Sequence, residues 1–405
     1  MKIAQLRTTV VAVPQLRSYK SSWRRSYHGR GAQCSVLVEL ETDDGLVGIG
    51  ESPVVYAGHP EVTVALIGAI GELLLDASPM DHDILRKRMY AETGMAHLGT
   101  QGMAWALSGV DMALWDLIGK VFHQPLHKVW GSPWRLRSPF YADVPPAEPK
   151  IMADEAIEWV ARGFETIYFK VGFDPKLDVA RMAAIRNAVG EDVKIRVDAN
   201  QAWSPGAARR IIQKMAEFEP EYIEQPVLAS NIVEMATVRK SVSVPILAHE
   251  ASLSVEGSLA VIMHHAADAL QLDPRFDAGF QGARVAAQLA EVAGLPVVTH
   301  TFGELGVATA AVLQLHAAYP NFLLDNQTYY WNLKDDVIEG GLMPFDGRYL
   351  HVPEGPGIGV TLDNDRVRYY AEYYEREVRD RGDRLVSNTQ EDAYYDLQYI
   401  MRPRA

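Results

Sequence analysis

Eight short apolar runs, spaced roughly 25 residues apart from Phe140 onward, constrain the fold more than any other feature of the chain. They are "FYADV" (140–144), "TIYFKVG" (166–172), "KIRVDAN" (194–200), "YIEQPV" (222–227), "VPILAHE" (244–250), "ALQLD" (269–273), "PVVTHT" (296–301) and "FLLDN" (322–326), with segments of helical length between them. Parallel strands need a long crossover, usually a helix, so this alternation predicts a parallel sheet. An open doubly wound sheet and a closed barrel both satisfy it. Eight regular repeats, with no glycine-rich phosphate turn after the first strand, favour the closed β/α barrel.

The barrel leaves both flanks of the chain unassigned, and 405 residues exceed the roughly 250–300 that one core sustains. The first 55 residues read as a strand meander in which "DDG" at 43–45 marks a hairpin turn. Helical periodicity follows, clearest in "MAWALSGVDMALWDLIGKVF", where Ala104, Leu107, Val110, Met112, Ala113, Leu114 and Leu117 build an apolar face. After Asn332 come strand and turn material, "GRYLHVPEGPGIGVTLD", and a charged helix, "VRYYAEYYEREVRDR". The expected organisation is an α+β capping domain at 1–128, a β/α barrel at 129–330, and a segment at 331–405 that packs back on the cap.

Composition narrows the partners. A formal charge of −13 argues against nucleic acid, whose phosphates demand concentrated Lys and Arg. No apolar run approaches the roughly 20 residues that span a bilayer, and "MKIAQLRTTVVAVPQL" alternates like a strand rather than like a signal peptide. A cytoplasmic protein without membrane partners is expected. With Cys34 the single cysteine, neither an intrachain disulfide nor a cysteine zinc cluster can form. One local basic stretch, "YKSSWRRSYHGR" at 19–30, carries Lys20, Arg24, Arg25, Arg30 and His28 and reads either as a solvated loop or as a flap over a small anionic ligand.

Chemistry in a parallel barrel gathers at the C-terminal ends of its strands. Here those ends are charged one after another: Lys170, Asp198 with Asn200, Glu224, Glu250, Asp273, His300 and Asp325. Asp198, Glu224 and Glu250 on successive strands would converge about 5 Å apart, a repulsion that a cation relieves. All-oxygen ligation suits Mg²⁺, with Mn²⁺ possible. Lys170 flanks this site on one side. His300 flanks it on the other, beside Asp273, which fixes the imidazole tautomer. A metal between two acid/base groups suits removal of the weakly acidic proton next to a carboxylate, since the metal supplies charge to the enolate.

Together, "ALSGVDMALWDLIGK", "GFETIYFKVG", "IRVDANQAW", "YIEQPV", "LAHEAS", "ALQLD", "VVTHTFGELG" and "VPEGPGIGV" resemble the enolase superfamily over nearly the whole chain, specifically its mandelate racemase and muconate lactonizing enzyme branch. The resemblance implies a modified TIM barrel under a capping domain, Mg²⁺ on Asp198, Glu224 and Glu250, Lys170 as base, and a homo-oligomer. Asp273 with His300, and a glutamate at the third ligand position, is similar to the acid-sugar dehydratase subgroup. Tyr168 stands where the family places a substrate-holding lysine, and Asp325 where it has a carboxylate-binding glutamate. Family members close a loop between their first strands over the substrate, the place of Lys20, Arg24, Arg25 and His28. Tyr141 is a further pocket residue. The expected activity is dehydration of a sugar acid to a 2-keto-3-deoxy acid; the alternatives are a racemase or epimerase and, in a different class, a non-catalytic sugar-acid-binding barrel.

Overall fold

The structure, a computed structural model, describes residues 1–16, 31–54, 59–94, 101–301 and 303–379. Three strands, β1 (Ile3–Pro14), β2 (Ala32–Thr42) and β3 (Val47–Pro53), form an antiparallel meander in that order. The "DDG" turn joins β2 to β3: Gly45 adopts φ 85°, and the Thr42 hydroxyl oxygen accepts from Leu46 N–H at 3.0 Å. Helices α1 (Pro60–Glu72), α2 (His82–Glu92) and α3 (Gln101–Val121) cover one face. Val36, Val38 and Leu40 of β2 pack there against Leu107, Val110, Leu114 and Leu117 of α3, the helical stripe read from the sequence.

Helix α3 lies directly on the backbone of β3 because the contact residues are glycines. A Cβ on Gly50 would stand 2.0 Å from the Gly109 carbonyl oxygen, and one on Gly48 2.3 Å from that of Ala113. Gly50→Ala is therefore expected to push helix and strand apart and lower stability by about 1–3 kcal/mol, as overpacking does elsewhere. Urea denaturation measures it, and an unchanged midpoint would contradict the close approach.

Buried Asp116 ties this layer to the C-terminal part of the chain. Its carboxylate accepts from Ile49 N–H and Ile358 N–H, both at 2.9 Å, and pairs with Lys120 at 2.6 Å. Helix Asn364–Tyr373 lies along β1, and Tyr374 and Val378 pack with Ala12 and Ala32.

After β4 (Arg137–Pro139) come seven parallel strands, paired strictly in chain order: β5 (Ala142–Asp143), β6 (Thr166–Lys170), β7 (Lys194–Asp198), β8 (Tyr222–Glu224), β9 (Ile246–Ala248), β10 (Ala269–Leu272) and β11 (Val297–Thr299). Helices lie between successive strands, and several start on side-chain caps; Asp174, for example, accepts from Lys176 N–H at 2.8 Å. Tyr222, Leu247, Ala269 and Val298 meet inside the curled sheet. A short strand, β12 (Tyr349–His351), pairs antiparallel with β4. The fold is a modified TIM barrel with an N-terminal α+β cap.

The eighth expected strand, "FLLDN", does not form as such. Only a single parallel bridge, Phe140 to Asn326, closes the ring there. The Asn326 side-chain oxygen accepts from Thr299 N–H at 2.9 Å, so a side chain takes the ladder bond that backbone would otherwise make.

Candidate functional site

Strand register brings the charged residues together. Lys170 pairs with Asp198, and Asp198 with Glu224, each at the C-terminal end of its strand. All three are buried. Lys170 Nζ donates to Asp198 Oδ2, which also accepts from the Tyr168 hydroxyl at 2.8 Å. Asn200 N–H donates to Asp198 Oδ1 at 2.7 Å.

The third corner differs from the sequence expectation. Asp198, Glu224 and His249 present ligand atoms that lie within 4.8 Å of one another, and Glu250 is not part of this group. Glu224 pairs with Leu247, which packs inside the barrel; side chains alternate along a strand, so the next inward position is 249. Glu250 starts a separate helical turn, and its Oε1 accepts from the amides of Asn200 (3.2 Å) and Gln201 (3.1 Å). His249 Nδ1 lies 2.9 Å from Glu224 Oε1, and its buried Nε2 has no hydrogen-bond partner among the described residues.

Across the mouth, His300 Nδ1 meets Asp273 Oδ2 at 2.8 Å. Arg275 grips that carboxylate with two nitrogens, Nε at 2.8 Å and NH2 at 2.9 Å, while its NH1 reaches Glu304 at 2.9 Å. The His249 and His300 rings face each other at 4.3 Å, placing the dyad against the carboxylate cluster.

The electrostatics follow from burial and these neighbours. Burial opposes the charge on Asp198, but Lys170 and His249 outweigh it and hold its carboxyl below the ordinary value. Glu224 is pushed up to about 7 by burial and by the charge of Asp198. Burial alone would lower His249, yet Glu224, Glu250 and Asp198 raise it to about 9. Asp273 falls to about 2 despite burial because Arg275 and His300 face it. Burial and the nearby His249 bring His300 down to about 3, so its imidazole is neutral.

Glu304 carries a measurable consequence. Burial lifts it from 4.5 to about 7 even with Arg275 beside it. Between those values the folded state binds the extra proton, so Glu304 contributes stability that is full below 4.5 and is lost as pH rises through about 7. Glu304→Gln should flatten this fall, by on the order of 1–3 kcal/mol between pH 4.5 and 7.5. Urea midpoints of both proteins across that range measure it, and parallel curves would exclude the assignment.

Four site expectations take different positions. Asp325 lies at the opposite end of the barrel: Thr166, the first residue of β6, donates to its Oδ2 at 2.8 Å, roughly 13 Å of strand away from Lys170. It therefore cannot hold a substrate at the mouth. Tyr168 is fully buried with its hydroxyl committed to Asp198, and Tyr141 stacks on it at 4.9 Å, so both fill the barrel beneath the site. Asn200 supports Asp198 and Glu250. Lys20, Arg24, Arg25 and His28 lie outside the described residues.

Three contributors had escaped the sequence reading. Strand alternation in "ILAHE" puts His249 on the face opposite Glu250, but which face is inward is set by pairing with the neighbouring strand. Gln271 sits two residues before Asp273 and faces Glu224; in the orientation that satisfies both groups its amide donates to Oε1 at 2.8 Å. Arg275 has no periodic signal, since it follows the end of β10 in a turn.

Two buried carboxylates and an imidazole with an unpartnered nitrogen fit a divalent cation: the repulsion that lifts Glu224 is the kind a cation relieves. Among the described residues, no helix is long and apolar enough to cross a membrane.

Comparison with known proteins gives two family matches. Residues 7–131 match the mandelate racemase / muconate lactonizing enzyme N-terminal domain, and residues 151–366 match the enolase C-terminal domain-like family. An N-succinyl-L-Arg/Lys racemase of Bacillus cereus is 27% identical over 91% of this chain and 97% of its own length. Arabinonate dehydratase of Saccharolobus solfataricus is 29% identical over 81% of this chain and 88% of its own. The dipeptide epimerase of Enterococcus faecalis V583, solved with Mg and the dipeptide L-Leu-L-Tyr, superposes with a TM-score of 0.78 at 26% identity, covering 89% of this chain and 100% of that one.

Proposed function

Given that the chain belongs to the mandelate racemase and muconate lactonizing enzyme family of the enolase superfamily, we propose that it removes the proton α to a carboxylate and dehydrates a sugar acid to a 2-keto-3-deoxy acid. The observation that carries the reading is the pair of proton-transfer groups, Lys170 and the His300–Asp273 dyad, on either side of one carboxylate cluster. Asp198, Glu224 and His249 would hold a divalent cation, which would supply positive charge for the substrate carboxylate and for the charge that develops on proton loss.

The protein's own groups do the rest. Lys170 or His300 takes the α-proton. His300, protonated by taking the α-proton itself or, where Lys170 takes it, from solvent, gives its proton to the β-hydroxyl as the C–O bond breaks; the enolate electrons form the C=C bond of an enol that tautomerises to the keto acid, and water leaves. Asp273, fixed by the fork of Arg275, holds Nδ1 of His300 and so directs its Nε2 edge to the substrate. For domains we assign 1–128 as cap, 129–330 as barrel and 331–405 as the segment completing the cap; the contacts of Tyr374 and Val378 with the first strands support the last of these.

A second reading, racemisation or epimerisation, is favoured by the same two-sided arrangement and by relatives named racemase and epimerase. There one group removes the proton and the other returns it to the opposite face. Incubation in D₂O with Mg²⁺ or Mn²⁺ across sugar acids, α-hydroxy acids, N-acylamino acids and dipeptides separates the two. A keto product trapped by semicarbazide supports dehydration, whereas deuterium wash-in without it supports epimerisation. Silence with every acid would refute both.

A further inference from the structure

We infer that His249, and not Glu250, is the third protein ligand of the divalent cation, and that the site favours first-row transition ions, Co²⁺ more than Mn²⁺, over Mg²⁺ more strongly than an all-oxygen site would. This rests on the reading of the cluster as a metal centre and deepens it.

Four observations converge. Asp198, Glu224 and His249 offer one ligand atom each within 4.8 Å of one another, all from buried residues. The inward alternation along β9 carries Leu247 and then His249 into the barrel. His249 has a side-chain exposure of 6% against 20% for Glu250, and its buried Nε2 has no hydrogen-bond partner among the described residues. Glu250 Oε1 is taken by Asn200 and Gln201, and its Oε2, buried and without a hydrogen-bond partner among the described residues, lies 3.6 Å from His249 Nδ1 and outside the group of three.

The chemistry follows from the donor set. Mg²⁺ demands oxygen ligands and dehydrates reluctantly, whereas an imidazole nitrogen suits the later first-row ions. Exchange of a carboxylate for an imidazole also leaves the site one negative charge poorer, which penalises the harder ion most.

The test uses the full-length protein and Mn²⁺ alone. Pulsed electron paramagnetic resonance of the bound ion should show a directly coordinated nitrogen, which changes to the ¹⁵N pattern when histidine is ¹⁵N-labelled. The coupling should vanish in His249→Asp, which restores an all-oxygen set, and persist in Glu250→Gln. Calorimetry should show the preference for Mn²⁺ over Mg²⁺ reduced in His249→Asp, while Glu250→Gln changes Mn²⁺ affinity by less than about tenfold, the low end of what an outer partner is worth. Absence of nitrogen coupling in the wild type, its survival in His249→Asp, or loss of Mn²⁺ binding in Glu250→Gln overturns the assignment. If the aspartate variant does not fold, ¹⁵N-histidine coupling that persists in His300→Asn assigns the nitrogen to His249, because His300 is the other imidazole beside the cluster; loss of the coupling in that variant overturns the assignment. Nitrogen coupling without α-proton exchange on any acid would sink the proposed reaction and leave this ligand intact; exchange without nitrogen coupling would do the reverse.

Discussion

Glu224→Gln is expected to abolish divalent-cation binding and to lower kcat/KM by at least about 10³-fold, the upper range for removing one group that stabilises developing charge. Glu224 is central to the cluster: it is the register neighbour of Asp198, and its Oε1 lies 2.9 Å from His249. The amide keeps the shape and removes the charge, so only the electrostatics change. Burial and Asp198 already hold the acid near 7, and a neutral group there removes a repulsion from the metal-free protein. The variant should accordingly fold, with a urea midpoint close to that of the parent, while calorimetry with Mn²⁺ shows no binding. Normal turnover by the variant would mean that the metal centre lies elsewhere.

His300→Asn is expected to abolish the keto product, by about 10²–10⁴-fold, the usual contribution of a positioned acid or base. Asparagine retains a donor for Asp273 and cannot carry a proton to the departing hydroxyl. Exchange of the α-proton in D₂O should persist in this variant through Lys170, on the far side of the cluster, and disappear in the His300→Asn, Lys170→Met double variant. Two measurements on one sample, semicarbazone formation and deuterium content, separate these steps. Exchange lost already in the single variant would make His300 the group that abstracts the proton. A keto product formed at the parent rate would remove His300 from the reaction altogether.

Much of the fold was legible before any coordinates because periodicity is a property of the chain itself. Seven of the eight strand runs from Phe140, and most of the helical stripe of α3, appear where apolar spacing places them. So do the residues at the strand ends: Lys170, Asp198 and Glu224 close β6, β7 and β8, and Asp273 and His300 directly follow β10 and β11. Charge at the end of an apolar run is visible in one dimension.

Other features depended on partners distant in sequence. "FLLDN" has strand composition, but the Asn326 side chain satisfies Thr299 N–H and only one bridge forms. Asp325 follows an apolar run as Glu224 does, yet Thr166 holds it at the far end of the barrel. Tyr168 shares the inward face with Lys170 but lies two residues deeper, where it meets Asp198 and Tyr141 instead of open space.

The amino-acid sequence by itself determined the order of seven of the eight expected strands and of the helices between them, and the charged residues at the barrel mouth, since each is encoded in local spacing and residue type. Only the tertiary structure decided which member of the pair His249 and Glu250 faces the cluster and which groups brace the dyad. The direction of a side chain at a strand's last residues is set by pairing with the neighbouring strand, and Arg275 finds Asp273 and Glu304 only after the chain has folded around it.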